Sequence, residues 1–171
     1  MILCVKLWDV EAAGEAIRPI VGPQTAVIPQ QNGVDAHERL IPILGRKAVM
    51  GGTAWVTGSV IAPGVVRQTG TYQRLIFGEL DGSMSRRGQA LSDACAAAGF
   101  EGDFSANVLL PVWEKFLAIV PLSSVNSLTP CHWASIAKTP SCGGYAKRAC
   151  ARRPRSASPR GSPCRPTLST R

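Results

Sequence analysis

Two lysines and one asparagine are the residues of this 171-residue chain best suited to ligand binding or to chemistry at a carbonyl group. Lys6 follows the apolar run that opens the chain, Asn32 stands in a Gln-Asn-Gly turn, and Lys115 lies in the segment PVWEKFLAIVPLSSVNSLT. A lysine that is partly removed from water has a lowered pKa, and its ammonium group can donate a proton to a carbonyl oxygen or polarise it. What these residues can do depends on the elements that hold them.

Lys115 belongs to a predicted helix that begins near Pro111. The apolar residues of this segment recur at helical spacing: Val112, Phe116, Ile119 and Val120. Lys115 comes three residues after the first of these and four before the third, so it flanks the buried stripe and is expected to be partly desolvated. The alternative is a lysine whose stem covers apolar surface while its charge pairs with Glu11, Glu101 or another acid.

Lys6 and Asn32 each follow a predicted strand. Ligands bind at the carboxyl ends of the strands in open α/β sheets, which makes both residues candidates for a binding site. The structural alternatives are equally simple: Asn32 tolerates a left-handed turn ahead of a helix, and Lys6 extends its ammonium group into water from a strand end. The residues alone leave these alternatives open.

The elements around these residues follow the order strand, helix, strand, helix. Residues 2–7 form an apolar run typical of a parallel strand covered on both faces, and a helix with an apolar side follows to residue 21. Thr25–Pro29 predicts a second short strand, and Asp35 begins a helix that Gly45 ends. This order predicts an α/β fold with a sheet built from βαβ units.

From residue 48 the pattern changes to runs rich in Val, Thr, Ile and Tyr, separated by Pro63-Gly64 and by Gly70. These runs predict antiparallel strands that extend the sheet. The segment SRRGQALSDACAAAG then predicts a helix, with further helices after it.

Cysteine use and hydropathy favour the cytoplasm. Cys4 falls in the first predicted strand and Cys95 in the helix just described, so both are expected to be reduced core residues. No stretch reaches the roughly 20 apolar residues of a membrane helix, and the N-terminus lacks the pattern of a signal peptide. We therefore expect a soluble cytoplasmic protein with no membrane partner.

The positive charge of the chain is concentrated at its end. Residues 1–130 contain 10 Lys and Arg against 11 Asp and Glu, whereas residues 131–171 contain 9 Lys and Arg and no acid. The end of the chain has few residues that could form a core, which predicts a disordered basic tail over 130–171 that contacts nucleic acid only non-specifically. Its cysteines are irregularly spaced and form no C-x-x-C pair, so no metal site is predicted.

Four blocks, in this order and at these separations, resemble the ketopantoate reductase (2-dehydropantoate 2-reductase) family: CVKLWDVEAA, QNGVDAHERL, GVVRQTGTYQRLIFGELDG and VWEKF with the later SLT. The resemblance covers residues 1–129. It implies a partial Rossmann-type sheet from an NADPH-binding domain, followed by the start of an all-helical C-terminal domain. In the family, the active site lies between these two domains. The implied reaction transfers a hydride from NADPH to the ketone of 2-dehydropantoate and yields pantoate, for pantothenate and coenzyme A synthesis.

The resemblance also implies roles for individual residues. Lys115 matches the catalytic lysine that bonds to the ketone oxygen, and Lys6 and Asn32 match residues at the cofactor. Ser123 and Asn126 are the predicted substrate-binding residues. Family members often have asparagines at the positions of Ile119 and Ser123, so another small 2-oxo acid is an alternative substrate. A homodimer is one assembly that the resemblance allows for the complete protein.

Both ends of the chain depart from the family pattern. The family begins with a strand and a G-x-G-x-x-G phosphate loop, which this sequence lacks, so we expect that part of the nucleotide-binding domain upstream of Met1. After Pro130 the composition becomes rich in Arg, Ala, Pro, Gly, Ser and Cys, as in a shifted reading frame of GC-rich DNA. We therefore expect a frameshift near Pro130.

The predictions divide the chain into three segments and leave three functions open. Residues 1–104 are the C-terminal part of an NADP-binding Rossmann-like domain, residues 105–129 the first helix of a helical substrate domain, and residues 130–171 the basic tail. The predicted function is reduction of 2-dehydropantoate with NADPH, with weak or no turnover by this chain. The alternatives are a reductase of another small 2-oxo acid and a non-catalytic adaptor that binds nucleic acid.

Overall fold

The computed structural model describes residues 1–128, with only the backbone described for Thr71, Tyr72, Val125, Asn126 and Leu128. In chain order its elements are β1 (Ile2–Leu3), α1 (Val10–Ile17), β2 (Ile28–Pro29), α2 (Ala36–Leu44), β3 (Gly51–Ala62), β4 (Val65–Gly78), α3 (Arg86–Ala97), β5 (Glu101–Phe104) and α4 (Leu109–Leu128). Short 3-10 helices flank α1, at Leu7–Asp9 and Arg18–Ile20. Residues 1–119 form one compact unit, and the chain from residue 120 onward belongs to a second.

The strands form a parallel pair, β1-β2, and a three-stranded sheet, β3-β4-β5, which an isolated bridge joins into one mixed sheet. β1 lies parallel to β2, with Leu3 opposite Pro29. A parallel bridge between Val27 and Val49 joins β2 to the residues that lead into β3. β3 then pairs antiparallel with β4, and β4 pairs parallel with β5. The predicted α/β class, a partial Rossmann-type sheet with an antiparallel extension, is confirmed.

Helices cover both faces of this sheet, because neighbouring residues of a strand point to opposite sides. The core between the sheet and helices α1 and α2 contains Leu3, Val10, Val27, Leu40 and Val49. The core between the sheet and α3 contains Ile28, Met50, Leu75, Phe77 and Cys95. Cys95 is therefore a buried free thiol, as predicted.

The first strand is much shorter than the predicted run of residues 2–7. β1 ends at Leu3 because its partner β2 is equally short. Beyond that point, the carbonyl of Val5 is bound by the side chain of Gln31 instead of by a neighbouring strand. Residues 4–6 are exposed, so the prediction that Cys4 is a core residue is wrong.

β3 and β4 form one long hairpin whose turn contains Pro63-Gly64, as predicted, but Gly70 does not separate two strands. Residues 69–72 of β4 lie opposite Thr57 alone, which makes a bulge in a continuous strand. Gly70 has a φ of 80° within this bulge. Glycine adopts that conformation readily, so the chain accommodates the irregularity without ending the strand.

β5 corrects the prediction that only helices follow α3. Its sequence, EGDF, contains two acids and a glycine, which are depleted in strands. It nevertheless pairs with β4 because α3 carries the chain back across the sheet, as a parallel connection requires. Arg74 of β4 binds Glu101 at 2.9 Å and also binds Asp103, and Gly102 allows β5 to pass directly against Cys95. Tertiary contacts thus outweigh the low strand propensity.

α4 begins at Leu109, with Pro111 in its first turn as predicted. The predicted apolar stripe on this helix is buried at Val112, half-buried at Phe116 and Ile119, and exposed at Val120. None of the helices in residues 1–128 combines the length and the apolar character that a membrane span requires.

Three predictions about segments remain untested by this fold. The domain boundaries expected after residues 104 and 129 stay predictions. The basic tail over 130–171 and the frameshift expected near Pro130 both lie outside the described residues.

Candidate functional site

The ends of β1 and β2 bring two of the predicted residues to one edge of the sheet. Lys6 comes three residues after β1, Asn32 comes three residues after β2, and the two strands are parallel. The backbone amide of Gln30 donates a hydrogen bond of 3.0 Å to the carbonyl of Leu3, which holds the two strand exits together. This carboxyl edge is where open α/β sheets bind ligands.

The side chains of Lys6 and Asn32 are exposed, and within residues 1–128 neither forms a hydrogen bond or an ion pair. Gly33, which follows Asn32, has a φ of 118°. A Cβ atom at Gly33 would lie 3.3 Å from Cδ2 of Leu7, the neighbour of Lys6, so the two turns pack closely. Both polar side chains are thus free to meet a ligand at this edge.

Gln31 is the residue of this edge to which the sequence pattern assigns no role. Its side chain is buried, at 8% exposure, and its Nε2 donates hydrogen bonds of 2.9 Å to the carbonyls of Leu3 and Val5. The amide therefore bridges the end of β2 to the segment that leads to Lys6. A polar residue between an apolar strand and an Asn-Gly turn was the only signal that could have indicated it.

Lys115 lies on α4 and reaches the sheet. Its Nζ donates a hydrogen bond of 2.5 Å to the backbone carbonyl of Ala54 in β3. The side chain is half-buried, and desolvation lowers its pKa below the ordinary lysine value of 10.5. The predicted desolvation is therefore present. The alternative of an ion pair is not, because Glu11 binds Arg39 and Glu101 binds Arg74, and no acid among the described residues pairs with Lys115.

β3 connects Lys115 to the end of β2. A Cβ atom at Gly52 would overlap the side-chain amide of Gln30 and would lie 2.9 Å from the carbonyl of Pro29, so only glycine allows this close approach. Ala54, which accepts the hydrogen bond from Lys115, is two residues further along β3, a distance of about 7 Å in a strand. Lys115 is therefore held over the part of the sheet that adjoins the end of β2. No hydrogen bond or ion pair in the described chain joins it to Lys6 or Asn32.

Ser123 and Asn126, the predicted substrate-binding residues, lie on α4 in the second compact unit. Ser123 is exposed, and its backbone carbonyl accepts a hydrogen bond of 2.8 Å from Oγ of Ser127. The side chain of Asn126 is outside the described part of the chain. The substrate-binding role of both residues stays a prediction.

A separate groove of about 560 Å³ lies among the segments that precede β2 and β3 and follow β4. Its wall contains a nearly buried ion pair in which Arg87 binds both carboxylate oxygens of Glu79 at 2.7 Å. Hydrogen bonding to Arg87 lowers the pKa of the Glu79 carboxyl group. No three His, Cys, Asp or Glu side chains of residues 1–128 are grouped so that they could hold a metal ion.

Comparison with known proteins identifies a family pattern in the first half of the chain. Residues 1–82 match the sequence model of the family described as Ketopantoate reductase PanE/ApbA. A 2-dehydropantoate 2-reductase of Aquifex aeolicus is 25% identical over 141 residues, which are 82% of this chain and 46% of that protein. The predicted resemblance is therefore confirmed. The chain spans 42% to 48% of the length of the curated relatives it matches.

Two oxidoreductases of known structure are among the proteins that share the fold. A 2-dehydropantoate 2-reductase from Geobacter metallireducens has a TM-score of 0.76 at 24% identity, over 85% of this chain and 48% of that one. D-mandelate dehydrogenase in complex with NADH has a TM-score of 0.76 at 18% identity, over 86% of this chain and 49% of that one. At these identities the likeness describes the architecture alone.

Proposed function

We propose that this chain, whose residues 1–82 carry the ketopantoate reductase pattern, holds part of the active site of a reductase that converts 2-dehydropantoate to pantoate with NADPH. The observation that carries the proposal is the half-buried ammonium group of Lys115. Its pKa is lowered by burial, and among residues 1–128 it is paired with a carbonyl instead of an acid. A cation without a carboxylate partner is suited to stabilise negative charge that develops on a substrate oxygen.

The hydrogen bond to Ala54 defines how Lys115 would act. An ammonium group has three donors, and the carbonyl of Ala54 accepts one of them at 2.5 Å. The two remaining donors can bind the ketone oxygen while Ala54 keeps the amine in place. The lowered pKa favours release of a proton from Lys115 Nζ to the oxygen as the ketone becomes an alcohol.

Lys6 and Asn32 are the residues that would hold the nicotinamide half of the cofactor. Both offer exposed polar groups at the carboxyl edge of the sheet, and no hydrogen bond within residues 1–128 uses these groups. NADPH, when bound, supplies the hydride that reduces the ketone carbon. The sequence contains no G-x-G-x-x-G loop, so the residues of this chain fit the nicotinamide half and not the pyrophosphate. Ser123 and Asn126 are proposed to bind the substrate.

Reduction of another small 2-oxo acid is a second candidate function. Ile119, one helical turn after Lys115, is apolar and half-buried, which would suit an apolar substituent on the oxo acid. The fold is also that of a D-mandelate dehydrogenase, which was solved with NADH. A cytoplasmic location agrees with either reaction and is part of the proposal.

A turnover assay with the 171-residue chain tests the proposal. The purified chain is incubated with NADPH and either 2-dehydropantoate or phenylglyoxylate, and the hydroxy acid is quantified by mass spectrometry. We expect pantoate to form slowly with the parent and about 100-fold more slowly with Lys115→Met, at unchanged NADPH affinity. The matched control is Lys47→Met, which removes an exposed lysine in the separate groove. Equal rates for the parent and Lys115→Met would refute the proposal, and faster reduction of phenylglyoxylate would favour the second candidate.

A further inference from the structure

We infer that Gln31 is a positioning residue that holds the segment carrying Lys6 against the turn carrying Asn32. The inference rests on the proposed function, because it concerns the two residues proposed to hold the nicotinamide. Gln31 itself points into the protein and is not expected to touch a ligand, since its side chain is only 8% exposed.

Both donors of the Gln31 amide are used on one short segment. Nε2 lies 2.9 Å from the carbonyl oxygens of Leu3 and Val5, two residues apart on the chain. Only the nitrogen of the amide can donate to two carbonyls, so these acceptors determine the orientation of the side chain. Val5 immediately precedes Lys6. The amide therefore holds this backbone where β1 has already lost its neighbouring strand.

The two hydrogen bonds from the Gln31 side chain replace backbone pairing that β1 lacks beyond Leu3. β1 and β2 pair over only two residues each, and residues 4–6 are exposed. A segment this exposed would move freely if nothing tied it down, because it buries little apolar surface. On the other side of Lys6, the backbone at Gly33 leaves little room beside Leu7, because a Cβ atom there would lie 3.3 Å from Cδ2 of Leu7. The hydrogen bonds from Gln31 are thus the polar contacts that hold the segment before Lys6.

The first experiment measures local opening at Lys6 with trypsin. The bond between Lys6 and Leu7 is a tryptic site, and its cleavage is followed by mass spectrometry in the parent, Gln31→Met and the control Gln30→Met. Gln30 is the matched control because it is adjacent and its side chain makes no hydrogen bond in residues 1–128. We expect cleavage after Lys6 to be roughly 30-fold faster in Gln31→Met, which corresponds to the loss of two hydrogen bonds of typical net strength.

Cleavage after the exposed Lys47 distinguishes local opening from general destabilisation. It should proceed at the parent rate in both variants. If Gln31→Met fails to fold, Gln31→Asn replaces it, because the shorter amide retains polarity but cannot span both carbonyls. Unchanged cleavage after Lys6 in these Gln31 variants would overturn the inference.

The second experiment measures NADPH affinity. We expect Gln31→Met to weaken binding by the same factor as Lys6→Ala, and the double variant to bind no more weakly than either single one, since Gln31 acts through Lys6. Additive losses, or faster cleavage with unchanged affinity, would overturn the positioning role. Absence of NADPH binding by the parent would instead refute the proposed function and the positioning role with it, while the cleavage rates would still report whether the amide orders the segment.

Discussion

Replacing Arg87 with methionine should reduce the free energy of unfolding by about 3 kcal/mol. Arg87 binds both oxygens of Glu79 at 2.7 Å and donates a further hydrogen bond of 2.9 Å to the carbonyl of Thr25. Ser85 also donates to Glu79, at 2.6 Å. This cluster ties the start of α3 to the end of β4 and to the segment before β2.

The size of the expected loss in unfolding free energy follows from the groups that remain in Arg87→Met. Methionine retains much of the packing of the arginine stem but none of its donors. Glu79 is only 9% exposed and would remain buried without its cation, and a buried charge that loses its partner is strongly destabilising. With a denaturant slope of about 2 kcal/mol per molar urea, the midpoint should fall by roughly 1.5 M.

The loss should depend on pH because Glu79 titrates. In the parent, hydrogen bonding to Arg87 lowers the pKa of Glu79, so its stabilising contribution is present above the unfolded pKa and disappears as the pH falls through the folded pKa. In Arg87→Met, burial and the nearby Asp81 still raise the pKa of the carboxyl group, and the hydrogen bond from Ser85 still lowers it, so the pKa is higher than in the parent. The difference in stability between parent and variant should therefore be largest near about pH 7 and shrink toward about pH 3.5.

Urea unfolding followed by tryptophan fluorescence measures this difference at both pH values. Arg86→Met is the matched control, because Arg86 is exposed and is adjacent to Arg87. It should change the midpoint little, since surface substitutions have small effects. Equal midpoints for the two variants at neutral pH, or a difference that grows on acidification, would refute the reasoning.

Three further predictions concern the residues around the candidate site. Gly52→Ala should destabilise the fold by about 1–3 kcal/mol, because its Cβ would meet Gln30 and Pro29. The control Gly58→Ala should destabilise it much less, since its Cβ would have ordinary contact distances. The urea midpoints of the two variants measure this difference. Gln30→Met should raise stability by about 1 kcal/mol in the same assay, since it removes two buried polar atoms that have no partner in the described chain. In the parent, the folded state holds the Lys115 proton less tightly than the unfolded state, so stability should rise with pH until about 10.5. Lys115→Met should lack this rise. If the stability of the variant changes with alkaline pH as that of the parent does, the assigned burial is contradicted.

Several features of the fold and site could be predicted from local pattern. Helical periodicity indicates α1, α2 and α4 and places Lys115 beside the apolar stripe, because burial repeats with the helical period. The turn residues at Pro63-Gly64 indicate the hairpin. The order of strands and helices places Lys6 and Asn32 at one edge, since parallel strands share their carboxyl ends.

Other features depend on residues that are distant in sequence. β5 has the composition of a loop and becomes a strand because α3 returns the chain alongside β4, where Arg74 binds both acids of β5. Arg87 reaches a carbonyl 62 residues away, and Lys115 finds its acceptor 61 residues away, at Ala54. Local patterns contain no information about such pairs.

The sequence by itself determined the α/β order of elements and the residue types available for carbonyl chemistry, because composition and periodicity depend only on near neighbours. Its blocks of residues also carried the family resemblance over residues 1–129. The tertiary structure alone decided which groups meet. Within the described residues, Lys115 binds a backbone carbonyl and not an acid, and the Gln31 amide replaces strand pairing next to Lys6. The physical reason is that hydrogen bonds and desolvation act through space, between atoms that only the folded chain brings together.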